Sequence, residues 1–543
     1  MVITGRKLAL VVPALSALGL WIVDDARAAD WLMGGQNLRN TRHQGDERRI
    51  NPDSVEQLRG LWAVELRGNI EATPAVEGDA IYVPDEAGSL YKIDATDGSV
   101  IWSNPVASYT DIEGDTTRAT PAVGQDRLIF GTQSGGPQAV LDAPERGWLP
   151  GPGAWLVAVD KASGKDLWQK QLETHPASRI NQSAVMHDGH AYVGITSWEE
   201  VIAAIMPDYD CCSFRGSVVR VDIGTGEKTW QTYTVPEGYS GGAVWGSTPV
   251  VDPGRGLVYV TTGNNYRLPQ SVSDCVAQAL EDDPSGEASV EGCYAAGNYF
   301  DAVIALDLDT GAVRWVHQTI PFDAHTHACW LPSVNPQNCP SPRGPDYDFA
   351  QGPMLFTVAG SGRELLGAGQ KSGVFWALEP DSGEVIWRTQ VGPGGMTGGL
   401  QWGSATDGKR IYVAISNHAK QRWVLKGQGP YAGQVALRGF WSALDAATGE
   451  ILWQTPDPNA FASDQGMMTS ANGVVFAGSM AGGTDNANMF ALDAATGEIL
   501  WQFPSVGSVV AGAAVVDGRV YWGSSYTQWD GVESNKLFAF GLE

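Results

Sequence analysis

The stretch "ALDAATGEILW" occurs twice, at 443–453 and again at 491–501. A chain that repeats itself so closely is building an array in which each unit covers its neighbour's apolar face. Five looser copies precede them: "YKIDATDGSVIW" ending at Trp102, "VAVDKASGKDLW" at Trp168, "VRVDIGTGEKTW" at Trp230, "IALDLDTGAVRW" at Trp315 and "WALEPDSGEVIW" at Trp387. An eighth begins as "LFAFGLE" at the C-terminus, and Trp62 in "LRGLWAVEL" stands alone near the N-terminus. These halves complete each other.

Each copy reads as a strand, a tight Thr/Ser/Asp-Gly turn and a second strand ending in the tryptophan. Upstream lie two more short strands, such as "ATPAV" and "DAIYVPD". Four strands per unit, with no convincing long helix, predict an all-β chain: an eight-bladed β-propeller closed by pairing its N- and C-terminal strands, which leaves no open sheet edge. The expected organisation is a signal segment over 1–28 and a single propeller domain over 29–543. The repeated tryptophan is read as filler between blades.

Composition fits such a core, with 43% hydrophobic and 18% charged residues, 67 glycines and 21 tryptophans. A net charge of −26 and the lack of a Lys/Arg cluster after the leader exclude a nucleic-acid partner. Arg6 and Lys7, an apolar run over 8–23 and the small-residue site Ala26-Arg27-Ala28 predict a cleaved export signal, so a periplasmic location without membrane insertion. Six cysteines in an oxidising compartment are expected to form disulfides, either Cys211 with Cys212, Cys275 with Cys293 and Cys329 with Cys339, or with Cys211 and Cys212 each bonded to a distant partner. The sequence has no C-x-x-C-H, so no covalent haem is expected.

Repeats agree where structure demands it and diverge where function acts. The residues that open the innermost strands diverge sharply: Glu71 in "EATPAV", Arg118 in "RATPAV", Asn181 in "NQSAVM", Trp245 in "VWGSTPVV", Asp346 in "PDYDFAQGPML", and Gln401 with Trp402 in "LQWGSAT". Propeller symmetry would ring them around one end of the central channel.

The D-x-x-T-G-x-x-x-W closure and this ring resemble the pyrroloquinoline quinone (PQQ) dehydrogenases, over nearly all of the chain after the leader. The resemblance implies PQQ and Ca²⁺ as cofactors and carries residue roles with it. Glu71, Arg118, Asn181, Gln401 and Trp402 would hold the quinone over Trp245. Asn264 in "VTTGNNY" would be a calcium ligand, and Asp346, seven residues before Pro353, the general base and a further ligand. Lys371 in "GQKSGVFWALE", with Arg118, would face the quinone oxygens. The family's calcium glutamate is absent at its usual place, which is Cys211 in "CCSFRG". The substitute is Glu200, or its neighbour Glu199, in "TSWEE". Cys211 and Cys212 would lie near the quinone.

The pair "CCSFRGSV" and "GPDYDF" is similar to the polyvinyl-alcohol dehydrogenase branch, without its cytochrome segment. The implied activity is oxidation of a polymeric or secondary alcohol, with electrons passed to a separate soluble cytochrome c. A non-catalytic binding or assembly propeller is the competing reading, for which the repeats alone would suffice. His325 and His327 in "DAHTHAC" read as part of a covering loop, no third metal ligand being evident beside them. The insertion over 268–297 reads as a stapled lid or an irregular surface loop.

Overall fold

In every repeat the strand before the turn is buried almost throughout, as at Ser89–Asp94 and Phe440–Asp445, whereas the strand after it is more exposed, as at Val100–Pro105, with Ile451–Pro456 the largely buried exception. That gradient places the first strands of each unit inside the ring and the last outside. The computed structural model describes Met1 and residues 30–134, 153–246, 248–283, 290–330 and 334–542. The export signal expected over 1–28 lies outside the described residues, Met1 apart. Among the described residues no helix is long and apolar enough to cross a membrane.

Among the described residues eight antiparallel four-stranded units follow one another, the third extended by Ser178–Arg179 and the seventh by His43–Gln44, which pairs parallel with Thr469–Ala471. They span 75–105, 122–173, 185–233, 250–318, 354–390, 405–456 and 469–503, and the last joins 514–541 to Arg59–Glu65. They are numbered blades 1 to 8 in that order. Arg59–Glu65 pairs antiparallel with Lys536–Gly541, Trp62 opposite Ala539, so the ring closes as the half-repeats require.

The repeat motif is the joint between blades. In blade 6 the Asp445 carboxylate accepts the N–H groups of Ala447 (3.0 Å) and Thr448 (2.9 Å) and the Thr448 hydroxyl (3.0 Å), which ties the turn. Gly449 follows at φ 74°, and a Cβ there would stand 2.3 Å from the Trp387 ring of blade 5. Only glycine fits both the left-handed backbone and the contact. Trp453 in turn donates Nε1–H to Ala494 of blade 7 at 3.1 Å. The expected filler role of the tryptophans holds.

The insertion over 268–297 differs from the expectation. It carries a 13-residue helix, Gln270–Asp282, which buries Val272 and Val276 against Val235, Tyr239 and Leu268. An i, i+4 apolar pair suffices for a helix once a neighbour covers it. Cys275 on this helix is joined to Cys293, and the pairs Cys211–Cys212 and Cys329–Cys339 also form, the first of the two expected alternatives.

Candidate functional site

Glu71, Arg118, Asn181 and Gln401 each stand four residues ahead of their blade's first strand, which begins at Ala75, Ala122, Val185 and Ala405 respectively. The same offset gives Gly246, Ala350, Gln465 and Val510 in the other blades. Trp245 and Asp346 therefore depart from the symmetric position expected of them, by one and four residues. A Cβ at Gly246 would meet the Ala350 carbonyl oxygen at 2.2 Å, so the backbones of blades 4 and 5 touch and neither carries a side chain there beyond a methyl. Asp346 instead enters from a preceding turn at φ 61°. Gln465, which the sequence reading lacks, is legible from its offset in "QGMMTSA".

These residues line two adjoining cavities, of about 130 Å³ and about 30 Å³. Arg118, Asn181, Trp245 and Trp402 border both. The larger also meets Glu200, Asp346, Asp348, Lys371, Gln401 and Gln465, and the smaller meets Glu71. Trp245 and Trp402 pack edge to face at 5.4 Å, with Lys371 over the first ring and the Arg118 guanidinium over the second. Arg118 pairs with buried Glu71, whose carboxyl burial holds well above the ordinary range despite that partner.

Lys371 Nζ donates to Asp346 Oδ1 at 2.8 Å and to Asp348 Oδ2 at 3.1 Å. Asp348 is saturated: Oδ2 also takes Trp245 Nε1–H at 2.8 Å, and Oδ1 takes the Asn264 N–H at 2.7 Å. Among the described residues no hydrogen bond reaches Asp346 Oδ2, and His325 Nδ1 stands 3.8 Å from it. Burial raises the Asp346 carboxyl well above its usual value, Lys371 opposes the rise, and Asp348, Glu200 and Asp323 add to it. Its backbone is clamped from behind: Asp323 Oδ1 accepts the Asp346 N–H at 3.1 Å and Oδ2 the Tyr347 N–H at 2.7 Å.

The two adjacent glutamates separate cleanly. Glu199 is fully buried and accepts from Tyr209 Oη, Ser213 N and Phe214 N, all at 2.8 Å, so it fastens the turn after the Cys211–Cys212 pair. Glu200 faces the cavity. Burial would raise its carboxyl, but His327, His325 and Lys371 outweigh that and lower it to about 2. Asn264 donates from Nδ2 to the carbonyls of Asn265 and His325, both at 2.8 Å, and its buried Oδ1 has no partner. Cys211 and Cys212 do not line either cavity; Cys212 packs on the cluster of Phe214 and Tyr266, one layer behind.

The sequence reading also missed Arg179. It is buried, lies 3.0 Å above the Trp198 ring and donates to Gln133 Oε1 at 2.8 Å, and burial lowers its guanidinium well below the usual value. Of the two buried guanidiniums on the cavity, Arg118 is engaged by Glu71, whereas Arg179 has no carboxylate partner among the described residues and is the one open to an anionic group. Orphaned buried oxygens at Asn181 and Asn264 add unmet hydrogen-bonding capacity. At the mouth, Trp529 packs against His327, His418 and the partly exposed Trp330.

A PQQ-type propeller family, described as outer membrane protein assembly factor BamB, matches residues 61–317 and 438–535. Polyvinylalcohol dehydrogenase of a Pseudomonas species is 30% identical over 85% of this chain and 66% of its own length. The polyvinylalcohol dehydrogenase of Sphingopyxis sp. strain 113P3 is 31% identical over 79% of this chain and 59% of its own. The chain thus spans less than two thirds of either relative. Among solved structures, quinohemoprotein alcohol dehydrogenase ADHIIG of Pseudomonas putida superposes with a TM-score of 0.68 at 18% identity, covering 95% of this chain and 81% of that one. At that identity the likeness concerns the fold.

Proposed function

The chain belongs to the PQQ-type propeller family, and from that membership and the cavity's chemistry we propose that it is a PQQ- and Ca²⁺-dependent alcohol dehydrogenase. The observation that carries the reading is Asp346. It is a buried carboxylate with one oxygen held by Lys371 and the other without a hydrogen bond among the described residues, on a cavity floored by tryptophan and bordered by two buried guanidiniums. A scaffold propeller has no use for such a group.

The residues suit the cofactors. A planar, carboxylated quinone matches Trp245, Arg118 and Arg179, with Asn181, Gln401 and Trp402 around it. Glu200, Asp346 and the orphaned Asn264 Oδ1 supply the oxygen donors that a hard cation prefers. When bound, the quinone is the two-electron acceptor for the hydrogen on the alcohol carbon. Asp346, which would also meet the cation, takes the hydroxyl proton on the lone pair of Oδ2 that the cation leaves open. Lys371 holds Oδ1, so the acceptor oxygen keeps its direction, and Lys371 and Arg118 present positive charge where negative charge grows. Asp348 positions Lys371, Trp245 and the Asn264 backbone at once.

For substrate, a polymeric or secondary alcohol such as polyvinyl alcohol leads, supported by the relatives above and by the aromatic pair Trp330 and Trp529, whose rings can pack on the C–H faces of an extended polyhydroxylated chain. Electrons would pass to a separate soluble cytochrome c, and the leader would deliver the protein to the periplasm. The test is to add PQQ and calcium to the purified protein, measure the stoichiometry of each, and follow dye-linked oxidation of an alcohol panel. One equivalent of PQQ with turnover is expected. No PQQ binding would return the chain to the scaffold class.

A further inference from the structure

Read as a sequence, His325 had no third ligand beside it, because the partners come from other parts of the chain. Glu200 follows blade 3's second strand, His325 follows blade 4, and Asp346 precedes blade 5. In the fold one donor atom from each falls within 4.8 Å of the other two. His325 Nδ1 stands 3.9 Å from Glu200 Oε1 and 3.8 Å from Asp346 Oδ2. These separations are too long for hydrogen bonds and leave room for one cation between the three.

The imidazole is placed rather than adventitious. His325 is 5% exposed, and its Nδ1 is buried without a hydrogen-bond partner. Its backbone N–H donates to Asn265 O at 2.9 Å, and its carbonyl accepts Asn264 Nδ2–H at 2.8 Å. That second bond also turns the orphaned Asn264 Oδ1 away from its own amide's partners. The peptide segments bearing the nitrogen donor and the amide oxygen are thus tied together. His327, two residues on, packs its ring on Trp330 and Trp529 and belongs to the mouth.

We propose that His325 Nδ1 is a ligand of the divalent-metal site formed with Glu200 and Asp346, and that this nitrogen shifts the site's preference from calcium toward borderline first-row ions such as Mn²⁺, Co²⁺ or Zn²⁺. Imidazole binds these ions well and calcium poorly, while the carboxylates serve both. The inference uses the same site as the proposed dehydrogenase but needs only the ligand geometry, not the quinone.

The experiment uses the full chain, stripped of metal and without PQQ. Titration calorimetry compares Co²⁺ with Ca²⁺, and electron paramagnetic resonance of added Cu²⁺ reads nitrogen coupling. Wild type should bind one Co²⁺ at least about tenfold more tightly than Ca²⁺, with one coupled nitrogen. His325→Asn should lose that coupling and weaken Co²⁺ by roughly 10–100-fold while leaving Ca²⁺ nearly unchanged. Glu200→Gln should weaken both ions, and thermal melts confirm that each variant is folded. If His325→Asn leaves Cu²⁺ nitrogen coupling and Co²⁺ affinity as in wild type, or lowers both ions equally, His325 is a charge partner of the carboxylates and the proposal falls. Absent PQQ binding with these metal results intact would overturn the dehydrogenase reading alone.

Discussion

At the outer edge of the ring Trp387 docks on Gly449 and Trp453 on Gly497, one joint made twice. At the inner ends of the blades stand Glu71, Arg118, Asn181, Gln401 and Val510, an acid, a cation, two amides and an aliphatic group. Both regions are set by the same eightfold geometry. At the edge each blade must meet the next in the same way, so aromatic filler, turn aspartate and left-handed glycine recur. At the inner ends the side chains converge on a shared space, and eight identical groups there would bring like charges or like dipoles together. Uniformity at the rim and variety at the channel are two answers to one symmetry.

The largest expected effect breaks the channel while sparing the rim. Asp346→Asn should lower turnover by about 10²–10⁴-fold, with quinone binding and thermal midpoint nearly intact, as expected for loss of a general base. Dye-linked kinetics against calorimetric melting checks it. Retention of more than roughly a tenth of activity, only about 1.4 kcal/mol of barrier, would hand the role to another group. Asp348 is a poor heir, because Lys371, Trp245 and Asn264 already use both its oxygens.

The converse substitution is Trp453→Ala. This ring is 1% exposed and fills the joint to blade 7. Urea unfolding should show a loss of about 3–5 kcal/mol, while the folded fraction keeps its KM. A large KM change with little loss of stability would mean that the docking ring is not merely structural.

Gln465→Ala sharpens the comparison at the inner end. Gln465 is 2% exposed, lines the cavity and has Nε2 unpartnered. We expect weaker binding of PQQ or substrate, by up to about tenfold, a change of about 1.4 kcal/mol, and an unchanged melting midpoint. Unaltered binding together with a lower midpoint would place Gln465 with the framework instead.

The smallest effect concerns its neighbour Asp464, fully buried with both carboxylate oxygens unpartnered. Burial raises its carboxyl well above the ordinary value, Asp457 adds to the rise, and Lys420 and Arg438 oppose it. The folded chain then holds this proton where the unfolded chain, titrating near about 3.9, has released it. Its contribution to stability is present at low pH and is lost as pH rises through the folded value. Asp464→Asn should therefore show a smaller drop in urea midpoint than wild type between about pH 5 and about pH 8. An equal drop in both would assign the pH dependence to other groups.

The sequence by itself determined the ring: repeat spacing, turn chemistry, the closing tryptophan and the complementary half-repeats at the two ends are local signals, each confined to a dozen neighbouring residues. It also marked most of the channel, because equivalent positions in successive copies could be compared directly. What only the tertiary structure decided were the places where equivalence fails. The close approach of Gly246 to the Ala350 carbonyl moves Trp245 and Asp346 off the symmetric position. The hydrogen bonds of Glu199 to Tyr209, Ser213 and Phe214 leave Glu200 as the one of the two that faces the site. His325 meets Glu200 and Asp346 from segments more than a hundred residues apart at the extremes, and Arg179 reaches the cavity over Trp198. A repeat encodes contacts between like positions. Contacts between unlike positions depend on how far each loop carries its side chain across the channel, and that distance is written only in the packing.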